Sequence, residues 1–200
     1  MNFSGAYSDD KELVRGLQEG ESQAFRVLVE KYHVKVIRTC IGFVHSAADA
    51  EDIAQDVFIE IFRSVKNFRG DSELSTWLYR ISVNKSLNFL RSASRRRIFT
   101  LLTGVGSAEK QGVSQDEITG ADSTDDKLIR EDQARALSQA LDSLPGNQRT
   151  AFVLNKYEDM AYKEIAAVMD ISMGSVESLI FRAKQNLQKR LYVFYQKNMK

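Results

Sequence analysis

Asp52, Asp56 and Glu60 recur at every fourth position of the 200-residue sequence, a spacing that puts three carboxylates on one helical face. Carboxylates so placed can move a proton or hold a cation, but neither use has its partners here. No histidine lies near them in sequence, and the helix they ride is exposed by its pattern. The two histidines are His33 and His45. Glu30 and His33 make a Glu-x-x-His pair, which ligates metal in helical bundles only when a second copy and further glutamates join it; one copy occurs. Cys40 is the single cysteine, falls on the apolar face of a helix, and reads as a buried thiol that can form no intramolecular disulfide. Gly104-Val105-Gly106 follows no strand and lacks the third glycine of a nucleotide fingerprint. With no nucleophile–base set, metal constellation or phosphate loop, the chain reads as a non-enzyme without a cofactor.

The remaining chemistry is that of binding. Ser178, Phe181, Arg182 and Gln185 share one side of a helix whose other side carries Val176, Ile180, Ala183, Leu187 and Leu191. Short polar, aromatic, cationic and amide groups together suit base edges and phosphates. After Glu177 no acid follows, whereas Arg182, Lys184, Lys189, Arg190, Lys197 and Lys200 do. A second stretch interleaves Trp77, Tyr79 and Phe89 with Arg80, Asn84, Lys85 and Asn88 and ends in Arg91, Arg95, Arg96 and Arg97, a mixture that can stack unpaired bases and hold phosphates. Taken alone, each also reads as an ordinary amphipathic helix with a solvated face. The acidic face of Asp52, Gln55, Asp56 and Glu60 fits a solvated helix or a docking face for a basic partner.

These residues need helices to position them. The single proline, 11 glycines and 43% hydrophobic content predict long helices around a real core, and no sustained period-two alternation announces a strand. A first short helix is capped by Asp9 or Asp10, carries Leu13 and Leu17, and stops at Gly20. A longer one runs from Ser22 to about Val44, with Phe25, Leu28, Val29, Tyr32, Val36, Cys40 and Val44 inside. In the acidic helix Ile53, Val57, Ile61 and Val65 point inward. Asn67 to Ser72 is a turn before the aromatic-basic helix. From Ile98 to about Thr124 the period is lost among glycines, serines and acids, the composition of a flexible acidic linker. Helix resumes near Asp126 with Leu137, Leu141 and Leu144 on one face, and Pro145 opens the next. Tyr162–Asp170, with Ile165, Ala166 and Met169 as its buried stripe, then leads into a helix-turn-helix. Its reversal is assigned to Gly174 and its cap to Ser172 or Ser175. The fold class is therefore all-α: two small helical domains, 1–97 and 126–200, joined by a linker over 98–125, the second a helix-turn-helix. Net charge is +1, so attraction to nucleic acid must come from local patches. Neither a signal peptide nor a membrane span is evident, and a cytoplasmic protein is expected.

Several motifs in order carry a resemblance: Asp49-Ala50-Glu51-Asp52-Ile53-Ala54-Gln55-Asp56-Val57-Phe58, Phe68-Arg69-Gly70, Ser75-Thr76-Trp77-Leu78-Tyr79-Arg80-Ile81, Leu144-Pro145, Glu164-Ile165-Ala166, Gly174-Ser175-Val176 and Phe181-Arg182-Ala183. Over residues 9–97 and 126–195 the chain resembles bacterial RNA polymerase sigma factors of the extracytoplasmic-function group. The resemblance implies that Asp52, Gln55, Asp56 and Glu60 bind core RNA polymerase. It implies that Phe68, Arg69, Trp77, Arg80, Asn84 and Lys85 read and open the −10 element of promoter DNA, with Asn84 helping to recognise an extruded base. It implies −35 contacts at Ser175, Ser178, Phe181, Arg182 and Gln185, and an anti-sigma factor as a further partner. Glu177 and Leu179 stand where many relatives carry basic residues, so no −35 consensus transfers. The rival readings are a stand-alone helix-turn-helix regulator, which leaves the acidic helix unexplained, and a sigma-like protein that only sequesters polymerase.

Overall fold

The computed structural model describes Tyr7, residues 9–103 and residues 124–198. The secondary structure of these residues is helical, without strands. The chain divides into two compact units. One holds α1 (Asp10–Glu19), α2 (Ser22–Val44), α3 (Ala47–Ser64), a 3-10 turn (Val65–Asn67) and α4 (Leu74–Thr103). The other holds α5 (Thr124–Asp142), α6 (Gly146–Lys156), α8 (Met173–Asn198) and α7 (Tyr162–Met169) as far as Ala166.

In the first unit both ends of α1 and the start of α3 fall where the sequence signals them. The Asp9 carboxylate accepts from the backbone N–H groups of Lys11 and Glu12, at 2.9 and 2.8 Å, satisfying donors that the first turn of α1 leaves without a helical partner. Gly20 ends α1 in the left-handed region, φ 82°, where a side chain is penalised. Ser46 caps α3 through the Asp49 N–H. Leu13, Leu28, Val36, Cys40, Val57, Ile61 and Leu78 meet in one buried core; each large aliphatic side chain so buried contributes about 1.5–3 kcal/mol. α2, α3 and α4 pack against one another, and α1 lies on α2. Tyr32 of α2 sits in that core and donates to Asp10 at 2.9 Å, with Lys31 pairing the same carboxylate at 2.7 Å. Burial, and then the Asp10 bond, push the Tyr32 phenol well above its ordinary pKa. Tyr7 donates to Glu21, and that bond lifts its phenol to about 12.

In the second unit Ala140, Leu141, Leu144, Ala183 and Leu187 form the α5–α8 core, with Phe152 and Leu191 partly buried against it. Arg149 of α6, almost fully buried, donates to Asp142 at the end of α5 at 2.6 Å. The α6 and α8 helices are joined by an Asn186–Gln148 bond of 2.8 Å. A buried guanidinium needs such a counter-charge.

Several expectations are corrected. Leu137 is exposed, and Ala136 and Ala140 take the inner face of α5 beside Leu141 and Leu144. In α7 the buried residues are Ile165 and Val168, while Ala166 and Met169 are half-buried. The reversal before α8 is not made by Gly174, which lies inside the first turn of α8 without a positive φ. Asp170 makes it, at φ 55°, and the Ile171 N–H closes back on the Ala166 carbonyl at 3.1 Å. Aspartate tolerates this left-handed geometry better than most residues. Helix α4 also runs on to Thr103, six residues past Arg97, because nothing between Arg91 and Thr103 breaks a helix and the first glycine is Gly104. The rest of the expected 98–125 linker up to α5 lies outside the described residues, as do residues 1–6.

Candidate nucleic-acid interface

Helix α3 turns Asp52, Gln55 and Asp56 out to solvent, over the buried row of Ile53, Val57 and Ile61. Ile59 and Phe62 are also on the outside, 46% and 59% exposed, and the Phe62 ring meets Phe25 of α2 edge-on at 5.5 Å. An acidic face with large apolar groups exposed beside it suits protein docking better than hydration alone. Ile59 and Phe62 went unnoticed in the sequence, although both fall off the inner stripe, which was the available signal. Glu60, the last of the acidic series, bends inward to α4 and takes the Lys85 ammonium at 3.1 Å. Two residues expected to serve different partners thus hold each other.

The turn between α3 and α4 is held from below. The Gln18 amide of α1 donates to the Val65 and Phe68 carbonyls at 3.3 and 2.9 Å. Gly70 then turns the chain at φ 76°, an angle that favours glycine. The Phe68 ring lies 4.7 Å from the Trp77 ring, tilted by 31°, so Trp77 both closes the core and braces the turn. Arg69 is exposed beside it. Between this turn and α1 opens a cleft of about 630 Å³, lined among others by Asp9, Gln18, Phe68, Arg69 and Glu73. Its volume lies in the range of sites that enclose a small molecule or a single base. On α4, Arg80 is partly buried and Asn84 exposed.

In the second unit the outer face of α8 is as its spacing predicts. Val176, Ile180, Ala183 and Leu187 are buried, whereas Ser175, Ser178, Phe181, Arg182 and Gln185 are exposed. The cap is Ser172, whose hydroxyl oxygen accepts from the Ser175 N–H at 3.2 Å. Ser175 lies 2.8 Å from the same hydroxyl, and Ser178 is drawn back onto the Gly174 carbonyl at 3.0 Å. Phe181 stays 60% exposed, an apolar group held in water where it can meet a partner. The three expected sets therefore divide between the units: α3, the turn and α4 in the first, α8 in the second. Among the described residues no cluster of His, Cys, Asp and Glu could hold a metal ion, and no helix is long and apolar enough to cross a membrane.

Residues 28–96 match the family model of sigma-70 region 2, and residues 134–187 match that of sigma-70 region 4. The chain is 36% identical over 182 residues to the RNA polymerase sigma-H factor of Pseudomonas aeruginosa, covering 91% of this chain and 93% of that protein. It is 33% identical over 183 residues to the ECF RNA polymerase sigma-E factor of Escherichia coli, covering 91% and 94%. Two solved structures share the fold. CnrH in complex with the cytosolic domain of CnrY has a TM-score of 0.63 at 22% identity, covering 92% of this chain and 97% of that one. The sigma factor RpoE in complex with the anti-sigma factor NepR, from Bartonella quintana, has a TM-score of 0.58 at 21% identity, covering 84% and 97%.

Proposed function

The chain belongs to the extracytoplasmic-function sigma factors of bacterial RNA polymerase, which direct transcription initiation, and we propose how its surfaces divide that task. The first unit docks on core polymerase through α3, with Asp52, Gln55 and Asp56 as the polar contacts and Ile59 and Phe62 as apolar anchors. It opens the −10 element with the Phe68–Gly70 turn and α4. A base turned out of the non-template strand is captured beside α4, with Asn84 helping to recognise it, while Arg69 stands exposed on the turn. Unstacking a base costs a few kcal/mol, and capture offsets that cost, so the open form is favoured without bond chemistry by the chain. Trp77 acts chiefly by holding Phe68 in place. Arg80 and Lys85 add positive charge along the same helix, and Lys85 gains DNA only by leaving Glu60.

The second unit reads the −35 element. Helix α8 enters the major groove, with Ser175 and Ser178 near its N-terminal end and Phe181, Arg182 and Gln185 further along. The module boundaries follow the helices: α1–α4 for docking and opening, α5–α8 for the −35 element. No reaction is catalysed and no cofactor is used. The protein works in the cytoplasm, where its polymerase is, and an anti-sigma factor restrains it, as the complex of the sigma factor RpoE with the anti-sigma factor NepR suggests.

The observation that carries this reading against a stand-alone regulator is the pairing of opposite chemistries on adjoining helices. α3 offers acids with exposed apolar groups, and α4 offers amide and cationic groups. A regulator that only bound DNA would need the second unit alone. The test is run-off transcription with sigma-free core polymerase on a pool of promoter fragments. Discrete new start sites that disappear with Asn84→Ala or Arg182→Ala are expected. Core binding without transcripts would point to a sequestering protein, and DNA binding without core binding to a regulator.

A further inference from the structure

Glu177 is the single acid of α8, a helix that otherwise carries cationic, neutral polar and apolar groups. Most other acids of the second unit hold the fold. Glu131 and Asp132 pair with Arg135 at 3.5 and 3.6 Å, and Asp142 with Arg149 at 2.6 Å. Glu164 caps α7 by accepting from the Ala161 N–H at 2.7 Å. Asp159 and Asp170 take left-handed positions in turns, at φ 52° and 55°. Glu177 does none of this. It is exposed, and it makes no ion pair or side-chain hydrogen bond among the described residues. The residues one turn away on its helix are Met173, Gly174, Ile180 and Phe181; none is charged, so no pairing along the helix is open to it. It also lies past the first turn of α8, which holds no acid, where the helix dipole favours a carboxylate little. A Cβ placed on Gly174 would meet nothing within 4 Å, so the turn before Glu177 leaves room for a close approach.

We infer that Glu177 is a specificity-determining residue of this chain and that it selects cytosine in the −35 element. This rests on the reading of α8 as the helix that enters the major groove, where residues near the N-terminal end reach base edges. Phosphates repel a carboxylate, so an acid between Ser175 and Ser178 cannot serve the DNA backbone. What it can accept from is a donor on a base. In the major groove guanine shows two acceptors, and thymine an acceptor and a methyl group. Adenine shows an amino donor beside an acceptor, and cytosine an amino donor with no acceptor of its own next to it. Both oxygens of an ionised carboxylate only accept, so cytosine alone among the four bases meets them without repulsion. The acid works by refusal as much as by attraction: against guanine or thymine it faces another acceptor, which sets the wrong sequence apart from the right one.

The test uses the full chain reconstituted with core polymerase. Promoter fragments with a fixed −10 element and randomised −35 positions are bound, recovered and sequenced. The wild type is expected to prefer cytosine by about tenfold at one −35 position. In Glu177→Ala that preference should shrink to within about twofold, with every other position unchanged. Fragments lacking the cytosine should bind Glu177→Ala at least as tightly as the wild type, since a repulsion has gone; an acid that served only the fold would not give this gain. In Glu177→Gln the preference should move to adenine on the same strand, because an amide both donates and accepts. An unchanged profile in Glu177→Ala, a change at a position where the wild type selects an A·T pair, or an equal loss on every −35 sequence would each overturn the assignment. A wild-type chain without any −35 preference, and Arg182→Ala indistinguishable from it, would instead sink the reading of α8 beneath it.

Discussion

Replacing Gly174 by alanine separates two accounts of the turn before α8. If Gly174 made the reversal, alanine there would be forced into the left-handed region at a cost of about 1–2 kcal/mol. In the structure Asp170 makes the reversal, Gly174 lies in the first turn of α8, and a Cβ added to it would meet nothing within 4 Å. Glycine in a helix interior costs about 1 kcal/mol against alanine. The first turn has fewer intrahelical bonds to protect, so a gain of about half that, 0.5 kcal/mol, is expected. The companion Asp170→Gly relieves a left-handed aspartate but adds unfolded-state entropy of similar size, for a net change within about 0.5 kcal/mol. Because the chain has two units, a local readout is preferable to a single melting temperature. Hydrogen exchange of the α7 and α8 amides should slow roughly twofold in Gly174→Ala. Faster exchange, by tenfold or more, would refute the assignment of the turn and return it to Gly174.

Three further outcomes are expected. Gln18→Ala removes both bonds to the Val65 and Phe68 carbonyls; it should cost about 1–2 kcal/mol of stability and lower open-complex formation in permanganate footprinting while leaving core-polymerase affinity unchanged. Leu28→Ala empties a fully buried site of the first core and should cost about 2–5 kcal/mol in a denaturant titration, with any smaller loss meaning that α2 can collapse into the gap. Tyr32 and Tyr7 hold raised pKa values when folded, so the unfolded chain releases their protons first; stability is whole below about pH 10 and falls as pH rises further. Urea titrations between about pH 9 and pH 11 should show a smaller alkaline loss in Tyr32→Phe than in the wild type.

The helices that proved most legible were those whose burial depends on their own period. The two faces of α8, the inner row Ile53, Val57 and Ile61 of α3 and the long run of α2 all follow from spacing, because a helix buries what its 3.6-residue repeat collects on one side. The Asp9 and Gly20 ends of α1 were legible for a similar reason, since capping is a local matter. What was hidden depends on neighbours or on competing local choices. Asp170 and Gly174 both could take the turn, and residue type alone favours glycine. Leu137 lost the inner face of α5 to two alanines, because α8 packs close enough to want small residues there. The Glu60–Lys85 and Arg149–Asp142 pairs join residues whose meeting is decided by packing. Ile59 and Phe62 are exposed; residue type alone argues for core, and only their place off the inner stripe signals otherwise. The expected site residues of α8 do share one exposed face, whereas those of the first unit are split between solvent, the Phe68–Trp77 contact and an ion pair.

The unbroken length of α4 has a consequence for how this chain can change over generations. Substitutions along it alter one contact at a time, but a one-residue insertion anywhere between Trp77 and Asn84 would turn everything beyond it by about 100°. Asn84, Asn88, Arg91 and Arg95 would leave their side together, while Trp77 stayed against Phe68. Four inserted residues would nearly restore the angle yet move these residues about 6 Å along the axis. The helix therefore works as a ruler that tolerates relettering but not resizing, and variation in length is expected to fall outside Leu74–Arg95.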